Sequence, residues 1–337
     1  MGVGRVRSIP RGVLFTLKAI RKRSFKGDKN MHILNSQQTA AALPYKALVP
    51  AIALAARQLH DGQINAPERM VVEIDKASVL LCMPAIGADI SVTKLITVHA
   101  NNNHHQLPAI QGEVVVFETN TGRRLALLDG PVVSARRTAA VTLLGIQTLL
   151  PRKPQTALLI GTGVQATAHA DALVEYFGVN TFWIAARNIV KTHAFCDELR
   201  QRYPQVVVHP IGADILDNAL PLTDVVIALT TSRSAVIPKH IASDTLAVGV
   251  GAFKPDMVEF PAELLHERTI VVDYLAGAKH EAGDLLQAKI DWSAVIELPQ
   301  VLQQPLPKND ALPVFKTVGH AAWDLAAARV AMTSLKS

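Results

Sequence analysis

Residues 156–173 read TALLIGTGVQATAHADAL, and this stretch restricts the fold more than any other. An apolar, β-forming run at 157–160 empties into Gly161-Thr162-Gly163-Val164-Gln165-Ala166 and then into an alanine-rich helical pattern. A glycine turn between a buried strand and a helix is the setting in which G-x-G-x-x-G/A binds a dinucleotide. Gly161 permits the tight turn, Gly163 lets the backbone approach a pyrophosphate, and Ala166 lets the helix pack closely on its strand. The helix N-terminus then turns free N–H groups and the positive end of its dipole toward the phosphates.

Beyond the turn, strands and helices alternate. Residues 181–185 and 206–209 read as strands flanking a helix at 191–203, and 224–229, 245–250 and 269–272 are further short apolar strands. This alternation predicts an α/β fold, a Rossmann-type doubly wound parallel sheet over residues 151–304. The preceding half reads differently. Helical spacing at 48–59 gives way to strand patterns at 69–74, 78–83, 93–99, 113–118 and 125–128, with Met83-Pro84-Ala85 as a turn. A helix is expected at 134–150, started by Ser134 and stopped by Pro151, and a last amphipathic helix at 315–332. Residues 31–150 plus 305–337 are therefore expected to form a discontinuous α+β domain.

The net charge of +6 misleads, because residues 1–30 hold nine Lys/Arg against Asp28 and the rest of the chain carries a net charge of −2. The basic extension is expected to be disordered, and the remainder gives no reason to expect a nucleic-acid partner. No run approaches the roughly 20 apolar residues of a membrane span. Cys82 and Cys196 are too few for a disulfide framework, which makes the reducing cytoplasm the expected compartment. No metal-ligand spacing is present, and the adjacent His104 and His105 lack the i, i+4 spacing of a helical zinc pair.

The second strand of a dinucleotide fold usually ends in a carboxylate that holds a ribose hydroxyl. Here it ends Ala186-Arg187-Asn188, and a guanidinium at that place favours the 2′-phosphate of NADP(H), with NAD(H) tolerated. Three cations in the first half, Arg69, Lys94 and Arg137, lie on or beside apolar elements, where each needs an anionic partner. A substrate carboxylate is one such partner. Arg136, off the apolar stripe of its helix, reads as a solvated surface charge.

These pieces come in an order that resembles the ornithine cyclodeaminase/mu-crystallin family along residues 36–335. The matching pieces are Arg69, Met83-Pro84-Ala85, Lys94-Leu-Ile-Thr-Val, Leu107-Pro108, Thr121-Gly122 and Ser134-x-x-Arg137-Thr-Ala-Ala. The glycine turn, Thr230-Thr231-Ser232, Val248-Gly-Val-Gly-Ala252, Pro255 with Glu259, and Phe315-Lys-Thr-Val-Gly319 follow. The resemblance implies a homodimer built through the α+β domain, with the cofactor in the Rossmann domain. It implies that Arg69, Lys94 and Arg137 face the substrate carboxylate and the reacting carbon, and that Thr230, Thr231 and Ser232 line the nicotinamide side.

One position departs from the cyclodeaminase pattern. Members of that kind carry an aspartate in V-G-G-D-x-P-G-K-x-E, and Phe253 stands in its place. The G-A-F-x-P form resembles members that reduce Δ1-pyrroline-2-carboxylate and Δ1-piperideine-2-carboxylate to L-proline and L-pipecolate. A small cyclic imino acid suits the residues: Arg69 and Arg137 fork its carboxylate, and Lys94 gives a proton or holds a water. Phe253 would shield the ring from solvent. The alternatives are a cyclodeaminase-type lyase, an alanine-type amino-acid dehydrogenase and a non-catalytic, crystallin-like NADP or hormone binder. Asp284, in Glu281-Ala-Gly-Asp284, is expected either to orient substrate or to cap a helix.

Overall fold

Strand alternation in the first half builds a sheet with one wet and one dry face. The computed structural model describes residues 31–216, 220–307 and 309–336, so the basic extension expected at 1–30 lies outside the described residues. In chain order the first half comprises β1 (His32–Ile33), α1 (Ser36–Ala41), α2 (Tyr45–His60), β2 (Met70–Asp75), β3 (Ser78–Ile86), β4 (Ile90–His99), β5 (Ile110–Glu118), β6 (Arg124–Asp129) and α3 (Gly130–Leu149). Its six strands lie in the order β1-β6-β5-β4-β3-β2, antiparallel from β2 through β6 with β1 parallel at the edge. In β4, Ile90, Val92, Lys94 and Ile96 alternate onto the buried face.

Two expectations need correction here. Pro84 is not in a turn but inside β3, opposite Thr93 of β4, beyond the Met70–Cys82 pair where β2 starts. With no β2 residue alongside, the missing N–H interrupts no ladder on that side. Helix α3 begins at Gly130 rather than at Ser134, because Asp129 caps it by accepting from Val132 N at 2.8 Å and Pro131 suits the first turn.

The second half comprises β7 (Thr156–Ile160), α4 (Val164–Ala172), β8 (Thr181–Ala186), α5 (Ile189–Arg202), β9 (Val207–Gly212), β10 (Val225–Ala228), β11 (Leu246–Gly249), α6 (Ala262–Glu267), β12 (Ile270–Val272), α7 (Leu275–Glu281), α8 (Gly283–Ala288), β13 (Ile296–Glu297) and α9 (Leu298–Gln303). The chain ends with β14 (Val314–Lys316) and α10 (Ala321–Ser334). The sheet order is β13-β12-β14-β11-β10-β7-β8-β9, with every pairing parallel. Strands β10, β11 and β12 are buried at every position, as a sheet covered on both faces requires. The order reverses between β7 and β10, which places a crevice at their C-terminal ends.

The expected helix at 315–332 is in fact a strand, a turn and a helix. Val314–Lys316 adds β14 between β11 and β12, and the chain then crosses to α10, which packs on α2, β3 and β4 of the first half. Three β-forming residues entering a gap in a parallel sheet outweigh a helical pattern that begins only at Ala321. Among the described residues, no helix is long and apolar enough to cross a membrane.

Candidate active site

Period-two alternation carries Lys94 inside with its apolar neighbours, leaving it 1% exposed between Met83 of β3 and Val114 of β5. A buried ammonium needs a counter-charge. Asp324, wholly buried in the first turn of α10, supplies it: Lys94 Nζ donates to Oδ1 at 3.2 Å and lies 2.9 Å from Oδ2. Arg137 shares the same carboxylate, its Nε donating to Oδ1 at 3.2 Å. The Arg137 Nη groups make no hydrogen bond among the described residues and remain free for a ligand. Burial draws the Lys94 amine down to about 8, while Asp324 opposes that fall and Arg137 adds to it.

Arg69 reaches the same space from the segment before β2. Its Nη2 donates to Glu281 Oε2 at 2.8 Å and to the carbonyls of Val318 and Gly319 at 3.3 Å each. Burial raises the Glu281 carboxyl above its ordinary value, partly offset by Arg69. The turn it grips is held from behind by Asp273, which accepts from Val318 N, Gly319 N and Trp323 Nε1 at 3.0, 3.1 and 3.2 Å. Gly319 has φ +80°, and a Cβ there would meet Arg137 Nη1 at 2.8 Å. Glycine is therefore required where the β14–α10 crossing passes the guanidinium.

The glycine turn forms the opposite wall. Gly161 N donates to Ala185 O at 2.8 Å, and its φ of +123° and approach to Leu229 O exclude a side chain. Gly163 is the N-cap of α4 with no side-chain cap, and a Cβ there would meet nothing within 4 Å. The first N–H groups of α4 are thus presented beside open space, and Ala166 is fully buried. His169 pins the helix: its Nδ1 donates to Gln165 O at 2.8 Å, which leaves Nε2 to accept from Thr142 Oγ1 at 2.9 Å. Buried Gln165 Oε1 and Ser134 Oγ have no partner among the described residues. An orphaned amide oxygen, an open glycine and an uncapped helix end fit a dinucleotide at this turn.

One cavity of about 470 Å³ joins these walls. Of the residues expected at the site, Arg69, Lys94, Arg137, Phe253, Gln165, Thr230 and Thr231 line it. Gly161, Thr162, Gly163 and Ala166 form the adjoining turn. Arg187 and Ser232 do not line the cavity. Arg187 is exposed just past β8, and the Ile160–Ala185 register sets it beside the glycine turn. Ser232 is engaged elsewhere, its Oγ donating to Ser234 O at 2.7 Å. Thr230 is also committed, with N and Oγ1 donating to Glu259 Oε1 at 2.7 and 3.1 Å.

Three groups were missed from sequence: Asp324, Glu281 and the buried Lys316. Lys316 Nζ lies 3.6 Å from Asp284 Oδ2 and 4.0 Å from Glu259 Oε2, outside the cavity lining. Asp284 sits in the first turn of α8 within this cluster, facing an ammonium rather than a substrate. For Lys316 and Asp324 the signal was a charged residue inside an apolar run, as in Phe315-Lys316 and Trp323-Asp324-Leu325. Arg136 is not a free surface charge: it lies 4.1 Å over the Tyr45 ring and donates to Leu43 O at 2.9 Å.

Comparison with known proteins adds the following. The chain is 41% identical over 303 residues to a Δ1-pyrroline-2-carboxylate/Δ1-piperideine-2-carboxylate reductase of Azospirillum brasilense, covering 90% of this chain and 96% of that one. It is 30% identical over 285 residues to the ketimine reductase mu-crystallin of Mus musculus, covering 82% and 87%. Its fold matches that of a Thermococcus litoralis Δ1-pyrroline-2-carboxylate reductase, solved with NADH and L-proline, at TM-score 0.82 and 23% identity over 91% of this chain and 98% of that one. The family model for ornithine cyclodeaminase/mu-crystallin proteins matches residues 29–337, and this chain belongs to that family.

Proposed function

We propose that this protein reduces a cyclic ketimine carboxylate, Δ1-pyrroline-2-carboxylate or Δ1-piperideine-2-carboxylate, to L-proline or L-pipecolate with NADP(H) as preferred cofactor. The observation that carries the reading is the charge count of the cavity. Arg69, Lys94, Arg137 and Lys254 line the cavity against Glu281 and the Asp324 carboxylate shared by Lys94 and Arg137, which leaves positive charge in excess and no carboxylate free to hold a substrate ammonium. A substrate carboxylate answers that excess, and Phe253 offers an apolar neighbour where a lyase would need an acid. The 41% identity to a reductase of these two imines supports the same substrate class.

The free Nη fork of Arg137 binds the substrate carboxylate, and Arg69 closes the same end. Lys94 donates a proton at the ring nitrogen. A nicotinamide cofactor bound at the glycine turn would supply the hydride for the imine carbon. Gly163 and the N-terminus of α4 would hold its pyrophosphate, which would fix the reacting carbon by orientation. In this division of labour residues 151–304 carry the cofactor. Residues 31–150 and 305–337 carry the substrate cations, apart from β14, which joins the parallel sheet.

Arg187 supports NADP(H) over NAD(H), being an exposed guanidinium beside the glycine turn with no ion-pair partner among the described residues. Arg187→Ser is expected to raise the KM for NADPH about tenfold or more, with little change for NADH. Strand β2 supports a homodimer: it is a sheet edge with all six residues exposed, Met70, Val71 and Ile74 among them. Sedimentation at micromolar concentration tests that assembly. The free Cys82 and Cys196 support a cytoplasmic location.

The decisive assay mixes the protein with NADPH and each cyclic imine and follows loss of NADPH absorbance. Ornithine with NAD and pyruvate with ammonia run in parallel. Turnover of both or either imine is the expected result. Release of ammonia from ornithine with neither imine reduced overturns the reading.

A further inference from the structure

The Lys94 site is more than a lysine in a cavity wall. Its counter-ion comes from 230 residues later in the chain and is shared with a second cation. We propose that Asp324 is a positioning residue that aims Lys94 and Arg137 into the cavity from one carboxylate and keeps the Lys94 amine charged for proton delivery. The inference rests on the reductase reading above and deepens it.

The arrangement suits a group that must give up a proton and regain it. In the reducing step an N–H bond of the Lys94 ammonium breaks and an N–H bond of the ring forms. The imine carbon takes a hydride from the reduced nicotinamide, and Lys94 is left as a neutral amine that solvent reprotonates. At that moment a carboxylate paired with Lys94 alone would be buried without a partner, at high cost. Asp324 is never in that state, because Arg137, which stays charged throughout, donates to its Oδ1. One carboxylate with one permanent and one labile cation tolerates both states of the lysine.

The charged groups around Lys94 come from four elements. They are Asp324 of α10 with the titratable His320 at its N-cap, Arg137 of α3, Arg69 before β2, and Glu281 of α7 through its pair with Arg69. Arg137 and Arg69 favour the neutral amine, and burial, the largest influence, does the same. Asp324 is the group in contact with Nζ that opposes them. Its conversion to an amide should therefore move the lysine further toward the neutral form.

The test uses the full chain with 13C-labelled lysine Cε, the Lys94 resonance being assigned by its loss in Lys94→Met. In the unsubstituted protein the Lys94 titration should centre near 8. In Asp324→Asn it should fall by about one pH unit or more, and the alkaline limb of kcat should move with it, a loss of about tenfold at the alkaline side relative to the acid side. Asp324→Glu, which keeps the buried charge but displaces it, should retain the Lys94 midpoint and lower kcat with KM little changed. It also decides the matter if the amide variant does not fold. A Lys94 midpoint that is the same in Asp324→Asn, or an unaltered kcat in Asp324→Glu, overturns the proposal. The titration needs no turnover, so a moved midpoint in a protein that reduces no imine would sink the reductase reading and leave the positioning role standing.

Discussion

Two lysines are buried among the described residues, both on β-strands and both within reach of carboxylates, yet they do different work. Lys94 shares one carboxylate with an arginine and opens on the cavity. Lys316 faces two, Glu259 and Asp284, and is closed off from it. The first cluster carries an excess of positive charge and waits for a ligand; the second carries an excess of negative charge, and its Lys316 Nζ and Asp284 Oδ2 make no hydrogen bond among the described residues. Glu259 accepts from Thr230 N, Gly251 N and Ala252 N at 2.7, 2.7 and 3.1 Å, tying the end of β10 to the loop that carries Phe253. Burial raises its carboxyl, and Lys316 offsets that rise. The sign of the residual charge, rather than burial, separates the reacting site from its support.

The largest effect that could break this contrast is on Lys94. Lys94→Met should lower kcat by about 10²–10⁴-fold, because the proton donor is gone, while urea unfolding changes far less since Asp324 keeps Arg137. Retained turnover would put the donor elsewhere. Lys316→Met should do the reverse. Two buried carboxylates are left without a cation, at about 3–5 kcal/mol by urea unfolding, while kcat of the folded protein shifts only modestly. Lost turnover with unchanged stability would make the two clusters alike.

A pH titration sharpens the contrast further, because a buried histidine borders only the Lys94 side. His320 packs 4.3 Å from the Tyr274 ring, and burial, with smaller contributions from Arg69 and Arg137, pulls it from 6.5 to about 4. Its folded value lies below its unfolded one, so its contribution is whole above 6.5 and is lost as pH falls toward 4. The loss should approach 3 kcal/mol, read as the pH slope of urea unfolding. His320→Gln should flatten that slope, and an identical slope would rule this account out.

The smallest effect separates the cofactor wall from both clusters. Gly163→Ala adds a Cβ that meets nothing in the folded chain, so Tm should stay the same. It should nonetheless weaken dinucleotide binding about tenfold by blocking approach of the pyrophosphate, measured by fluorescence titration. Equal binding by the variant would mean that the phosphates lie elsewhere.

How much of this was legible in the chain differs between the two walls. The glycine turn, its strand and its helix are contiguous, so their chemistry could be read from local spacing. Lys94 was visible because a charge among alternating apolar residues must point inward with them. Its partner went unrecognised, since the segment that brings Asp324 read as an amphipathic terminal helix, where an acid has a polar face to occupy. The same segment hid β14, whose strand character depends on a vacant place between β11 and β12. Glu281 lies 212 residues from Arg69 and had no local pattern to announce it.

By itself the sequence determined the parallel, doubly wound half, the antiparallel sheet before it, and the three cations, because hydrophobic period and turn chemistry act over a few residues. Only the tertiary structure decided which carboxylate answers which cation, which lysine faces the cavity, and how much charge is left over. Coulomb energy depends on distance and on burial, and both are set by the crossing of β14 to α10 rather than by any stretch of neighbouring residues.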